Sequence, residues 1–219
     1  MNAQVVGISG SPVINSNTDR LVRAVLDASG LDTEFVKLSK MNVRGCVACL
    51  RCAGDNVCKQ MDDFSELGPK VRKAEALVIG AYTPYSSMDS FTKAFLERLF
   101  SLRHRVGLNR GKLAVVITTG IGRGRQGLHE ANEQITRALC REGLEVIGSL
   151  EAIGNPPCLS CGYGETCPMS SIPFVFGSNA KITPDKFTRV EDQRDLWKQA
   201  QELGNQLGVA IRGRLVENA

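Results

Sequence analysis

Long apolar runs are missing from this sequence: none approaches the roughly 18 residues a helix needs to cross a bilayer, so no membrane span is expected. Its first residues, MNAQVVGISGSP, lack the charged and then apolar stretch of an export signal, and the expectation is a soluble, cytoplasmic protein. A strong charge of one sign is also lacking; a net charge of +4 is too weak to argue for nucleic acid. Histidine is scarce: His104 and His129 are the only two, and neither belongs to a constellation suited to catalysis. Surface or helix-capping roles are expected for them, and no separate acid–base residue. Repeats of a whole structural unit and low-complexity tracts are absent as well.

What remains is a chain of 219 residues, long enough to bury a core without disulfides as a single domain, either of ordinary size or with a substantial appendage. Eight cysteines in a reducing compartment read as ligands or redox thiols rather than structural bridges. Basic residues gather in SLRHRVGLNRGK, 101 to 112, either as a solvated loop or as a landing patch for an acidic electron-carrier protein.

Apolar patterning alternates between strand and helix. QVVGI (4 to 8), TEFVKL (33 to 38), EALVIGAY (75 to 82), KLAVVITTG (112 to 120) and LEVIGSLEAI (144 to 153) read as strands, the third buried on both faces. Helices are expected from Thr18, over 62 to 74 with Asp62 and Asp63 at the positive end, over SFTKAFLERLF, over GLHEANEQITRALCREG, and over 190 to 212. In the last of these Leu196, Ala200, Leu203 and Leu207 share a face, and the single tryptophan, Trp197, is expected in the core. Such alternation implies right-handed crossovers and an α/β fold: a flavodoxin-like five-stranded parallel sheet with helices on both faces. Two segments exceed what the fold needs, a cysteine-rich loop at 45 to 58 and a Gly/Pro/Cys-rich insertion at 154 to 189 before the last helix.

Open parallel sheets bind ligands beyond the carboxyl ends of their strands. After the first strand, SGSPVINSNT offers Ser9, Ser11, Asn15, Ser16, Asn17 and Thr18 at a helix start, neutral donors suited to a phosphate dianion. Capping by Asn17 or Thr18 would need only one of them. After the third strand, Pro84, Tyr85, Ser86, Ser87 and Met88 suit a flat heteroaromatic ring or ordinary loop packing. After the fourth, Thr118, Thr119 and Gly120 let backbone approach a ring edge, and Arg123 and Arg125 either meet a second phosphate-bearing ligand or are simply exposed.

GCVACLRCAGDNVC places Cys46, Cys49, Cys52 and Cys58 within fourteen positions. That compact spacing lets one loop wrap a [4Fe-4S] cubane, each thiolate serving one iron. Structural zinc sites usually split their ligands into two separated pairs, which disfavours zinc; thiol chemistry or incidental cysteines would also put four thiols in this loop. CLSCGYGETC repeats the x2 and x5 spacing with Cys158, Cys161 and Cys167. These are either a second site, zinc or iron-sulfur, completed by Cys140, a carboxylate, a histidine or another subunit, or unligated thiols with Cys140 buried in its helix.

GISGSPVINSNT, the C-x2-C-x2-C-x5-C run followed by QMDDF, and TPYSSMDSFTKAFLERL together resemble the iron-sulfur flavoprotein family, within the flavodoxin-like NAD(P)H-dependent FMN reductases, over roughly residues 4 to 150. The resemblance implies FMN, its phosphate around Ser11, Ser16, Asn17 and Thr18 and its ring near Pro84 to Met88 and Thr119 to Gly120, with a [4Fe-4S] cluster on the four cysteines. It also implies a homodimer or homotetramer with clusters near flavins of neighbouring subunits; the long 154 to 189 segment is a candidate to embrace another subunit. Many relatives carry a basic residue after GSP where this chain has Val13, so phosphate binding is expected to rest on neutral donors. The expected activity is electron transfer between a reduced carrier such as ferredoxin and an acceptor. Two further activities would suit these residues: an NAD(P)H-dependent FMN or quinone reductase without a redox cluster, and a flavin- or metal-sensing module without turnover.

Overall fold

A computed structural model describes residues 3–121 and 126–217. Five parallel strands, β1 (Val5–Ser9), β2 (Thr33–Lys37), β3 (Ala76–Tyr82), β4 (Leu113–Gly120) and β5 (Glu145–Ile153), form one sheet in the order β2-β1-β3-β4-β5. The three central strands are apolar because helices cover both of their faces, and the sole irregularity in register falls between Ala114 and Val115, where β4 meets β5.

Alternation along the strands divides the core. Val6, Ile8, Leu77 and Ile79 face α2 (Phe64–Lys73), α3 (Ser90–Leu99) and α4 (Gln126–Arg141), which contribute Leu67, Phe95, Leu99 and Ile135. Val5, Val78, Val115 and Ile117 face α1 (Asn17–Ser29) and α6 (Arg194–Glu217) through Leu21, Val25, Ala200 and Leu207. Each fully buried aliphatic of this kind contributes about 1.5–3 kcal/mol. Helix α6 lies so close to α1 that a Cβ at Gly204 would stand 2.4 Å from the Val25 carbonyl. The helix begins at Arg194, later than the expected 190, and Trp197 in its first turn is half-buried against the α1 face of the core rather than inside it. No described helix is long and apolar enough to cross a membrane.

The insertion between β5 and α6 folds back on its own chain. Its neck is closed where the Asn155 Nδ2 donates to the Thr188 carbonyl (3.0 Å) and the Thr188 amide donates back to Asn155 Oδ1 (2.7 Å). Asn17 Nδ2 donates to the same Thr188 carbonyl at 3.0 Å, and Arg20 Nε reaches Glu191 at 2.5 Å, so the insertion is moored to the start of α1. Between 154 and 189 only Pro156, Leu159, Gly164 and Ile172 are buried, and the short α5 (Ile172–Phe176) is its one α-helical turn.

Candidate functional site

Strand order reverses between β1 and β3, and the loops leaving β1, β3 and β4 meet there as expected for this sheet type. The first loop is held close to α3: a Cβ on Gly10 would lie 2.1 Å from Thr92 Oγ1, so no other residue fits. Ser16, not Asn17 or Thr18, caps α1. Its hydroxyl accepts from the Asp19 amide (3.1 Å) while Asp19 accepts from the Ser16 amide (3.2 Å), a capping box that needs the aspartate three positions on. Several expected donors are occupied within the fold. Ser9 donates its hydroxyl to Asp19 (2.6 Å), Thr18 shares a buried hydrogen bond with Thr119 (2.6 Å), and Asn17 holds Thr188 and Arg20. Ser11 and Ser16 accept from backbone amides and keep their hydroxyl protons, Asn15 is exposed with φ 50°, and the Asn17 and Thr18 amides meet no acceptor among the described residues. Free first-turn amides and hydroxyls at a helix start form a donor set that fits a phosphate.

Beside the neutral donors of the loop, the fold places two cations that the loop sequence itself lacks. Lys37, at the end of β2, bonds the Val13 carbonyl (2.7 Å) and Asp19 Oδ2 (2.7 Å), and Arg20 bonds the Asn15 carbonyl and the Asn17 side chain. Both are matched by carboxylates, Asp19 and Glu191, so they stiffen the loop without leaving a bare charge.

In the second loop Pro84–Ser86 forms a 3-10 turn in which Tyr85 (φ 52°) and Ser86 (φ 58°) are both left-handed, a strain of about 1–3 kcal/mol each that is concentrated at functional sites. Tyr85 is fully exposed, Ser87 donates to Gln134 (3.0 Å), and Met88 rests half-buried on the core. Thr118 is turned inward onto the Leu128 carbonyl (3.2 Å), while the Thr119 carbonyl accepts from Thr83 (3.0 Å) and that of Gly120 from Gly154 (2.7 Å). Asp89, which sequence reasoning did not single out, is buried beside Gly10, caps α3 through the Thr92 amide (2.8 Å), and has its pKa raised by burial. Arg123 and Arg125 lie outside the described residues.

The cysteine loop sits against the other end of α3. Cys46, Cys49, Cys52 and Cys58 line one hollow together with Arg98, Phe100 and Ser101. Three non-glycine residues in this loop, Ala48 (φ 50°), Leu50 (φ 56°) and Asn56 (φ 58°), are left-handed, which turns backbone amides inward; the Ala48 amide meets the Cys46 sulfur at 3.4 Å. Asn56 pins the loop by donating to the carbonyls of Ser101 (3.2 Å) and His104 (2.8 Å), and Glu97 accepts the Cys46 amide (3.2 Å). Burial, reinforced by the neighbouring Cys58, Cys46 and Cys49, raises the Cys52 pKa, whereas hydrogen bonding by Arg51 lowers that of Cys49. Beneath them Arg98, 1% exposed, makes a two-pronged ion pair with Asp62 (2.5 and 2.9 Å) and donates to the Arg44 carbonyl (2.9 Å). Asp62 is therefore a buried partner of Arg98 more than a dipole-facing surface acid; burial opposes its charge most strongly, but the Arg98 hydrogen bonds and charge and the Arg44 and Phe64 amides together hold its pKa below the usual value.

The second cysteine group is built differently. Cys158 accepts from the Ser171 amide (3.4 Å), Cys161 turns its thiol to the Cys158 carbonyl (3.6 Å), and Cys161 and Cys167 are exposed. Cys140 is exposed on α4 rather than buried. Among the described residues no three Cys, His, Asp or Glu side chains converge on one point as a single metal ion would require. His129 is exposed and bonded to Glu151 (2.9 Å), and His104 stacks edge-on against Phe100 with centroids 4.6 Å apart. The basic segment abuts the first cysteine loop, Arg105 donating to the Gly54 carbonyl at 3.2 Å.

Residues 3–152 match the family model described as NADPH-dependent FMN reductase. An iron-sulfur flavoprotein of Methanocaldococcus jannaschii is 30% identical over 155 residues, covering 66% of this chain and 76% of that protein. Another, of Methanosarcina thermophila, is 26% identical over 155 residues, covering 69% and 81%. Among solved structures the apo form of an NADH:FMN oxidoreductase (EMOB) superposes with a TM-score of 0.57 at 16% identity, over 95% of this chain and 90% of that one. RosB with a bound riboflavin-5'-phosphate intermediate gives 0.58 at 16% identity, over 98% and 86%. The stretch matching the family model includes the first cysteine loop and stops short of the second.

Proposed function

The chain belongs to the NADPH-dependent FMN reductase family and is an FMN-dependent oxidoreductase, and on that premise we propose that it is an iron-sulfur flavoprotein moving electrons between a reduced one-electron carrier such as ferredoxin and an acceptor. Ser11, Ser16, Asn15 and the first amides of α1 hold the FMN phosphate, and residues 84–88 with Thr119 and Gly120 flank its ring. Cys46, Cys49, Cys52 and Cys58 each take one iron of a [4Fe-4S] cluster. When bound, FMN exchanges one or two electrons and the cluster one at a time, which joins a pairwise redox partner to a single-electron carrier.

One observation carries the reading: four cysteines line a single hollow on a loop held in left-handed conformations at Ala48, Leu50 and Asn56. A cubane takes one thiolate per iron, so four thiols on one loop supply the number of ligands it would need. The two cofactor regions lie at opposite ends of α3, about 12 Å apart along the helix from Ser90 to Arg98 at 1.5 Å per residue. That separation, with Val47, Leu50, Val57 and Met61 exposed around the cysteines, favours a homodimer or homotetramer in which this loop faces a neighbouring subunit.

Anaerobic purification with iron, sulfide, zinc and flavin counted per chain tests the proposal. About four irons, four sulfides and one FMN are expected. Flavin with zinc, or with no metal, would overturn the electron relay and leave an NAD(P)H-dependent flavin reductase.

A further inference from the structure

Arg98 belongs to an amphipathic helix whose other basic residue, Lys93, is exposed and paired with Glu97 across one turn. Arg98 instead points inward, and its burial needs a reason, since a buried ion pair adds little stability over a well-packed apolar pair of the same size. Three features of its surroundings supply one. Asp62 grips the two terminal nitrogens, leaving the Arg98 Nε–H buried and without a partner among the described residues. Arg98 lines the four-cysteine hollow while Asp62 does not, so the pair presents its positive end to the thiols and its negative end behind them. Asp62 is itself fixed, accepting from the Arg44 and Phe64 amides at 3.1 and 3.2 Å, which leaves the guanidinium no freedom to turn away.

We propose that Arg98 is a potential-setting residue for the four-cysteine site: its guanidinium and orphaned Nε–H stabilise the extra negative charge that the sulfur-bound group acquires on taking one electron. The inference rests on the reading that these cysteines hold an iron-sulfur cluster. One electron enters from the carrier, no bond forms or breaks, and the fixed cation favours the reduced form over the oxidised one. Net charge and hydrogen bonds to sulfur are two of the established controls on cluster potential. An arginine paired with a carboxylate, as Arg98 is with Asp62, keeps its charge throughout the working pH range.

The test is an electron-paramagnetic-resonance redox titration of the anaerobically purified, cluster-loaded protein beside two variants. Arg98→Lys keeps the charge and loses the planar fork. The double variant Arg98→Gln/Asp62→Asn removes both charges together, leaving no uncompensated buried ion, and guards against failure to fold. At the wild-type midpoint, the double variant is expected to show at least a tenfold smaller reduced-to-oxidised ratio, a shift of about 59 mV to lower potential for one electron. Arg98→Lys is expected to recover a substantial part of that shift. Iron and sulfide at wild-type level with an unmoved potential in the double variant would overturn the inference alone. A wild-type chain that carries flavin but no iron and sulfide would overturn the four-cysteine reading, and this inference with it.

Discussion

Two loops in this chain carry the spacing C-x2-C-x5-C, and they have little else in common. Cys49, Cys52 and Cys58, joined by Cys46, line one hollow; the loop is pinned to α3 and the segment after it, and a charged pair is buried beneath. Cys158, Cys161 and Cys167 sit on an insertion with four buried residues, closed by its own turns; two thiols of each group are exposed. Identical spacing thus brings the cysteines to one hollow only in the loop that the rest of the fold pins in place. The family model covers the first group and ends before the second, in keeping with that difference.

Metal content should divide the two loops most sharply. Cys49→Ser is expected to lose most of its iron and sulfide while keeping FMN, and the double variant Cys158→Ser/Cys161→Ser to keep the wild-type complement. Loss of metal from the double variant, read by plasma emission spectrometry, would instead establish a second centre in the insertion.

The supporting charges should differ next. Asp62→Ala strands the Arg98 charge and is expected to cost about 3–5 kcal/mol in chemical denaturation. Glu165→Ala, which removes the exposed partner of Lys181 in the insertion, should leave the unfolding midpoint where it was. Because the folded Asp62 pKa is lowered, its contribution is present above the unfolded carboxylate value of about 3.9 and disappears as the pH falls through the folded value. Wild-type stability should therefore drop more steeply than that of Asp62→Asn below about pH 4.

The smallest contrast is in thiol reactivity. Hydrogen bonds from Ser171 lower the Cys158 pKa, and burial raises that of Cys52. In metal-free protein near neutral pH, iodoacetamide should label Cys158 before Cys52, as mass spectrometry of timed samples will show. The reverse order would mean that the first loop opens when empty.

The frame was legible in the sequence for a physical reason. Strands buried on both faces must be apolar throughout, so ALVIGAY and LAVVITTG announced β3 and β4, and the loop positions followed from the sheet order. Within the loops, local composition could not tell which hydroxyl faces inward: Ser9 and Thr18 read as donors for a ligand but bond Asp19 and Thr119. Lys37 was hidden because it reaches Val13 from the neighbouring strand, across the sheet and not along the chain. Arg98 was hidden in FLERLF, where an arginine ordinarily faces water, and its burial depends on Asp62 from another helix boundary. The mooring of Asn17 to Thr188 joins residues 171 positions apart, which no local pattern records.

The central claim is that electrons from a one-electron carrier reach the flavin through the first cysteine loop. It is tested most directly by stopped-flow bleaching of the flavin absorbance with reduced ferredoxin, comparing the wild type with a Cys49→Ser variant that retains FMN. The account predicts rapid bleaching in the wild type and a loss of at least a hundredfold in rate in the variant. Equal rates in the two proteins would contradict it.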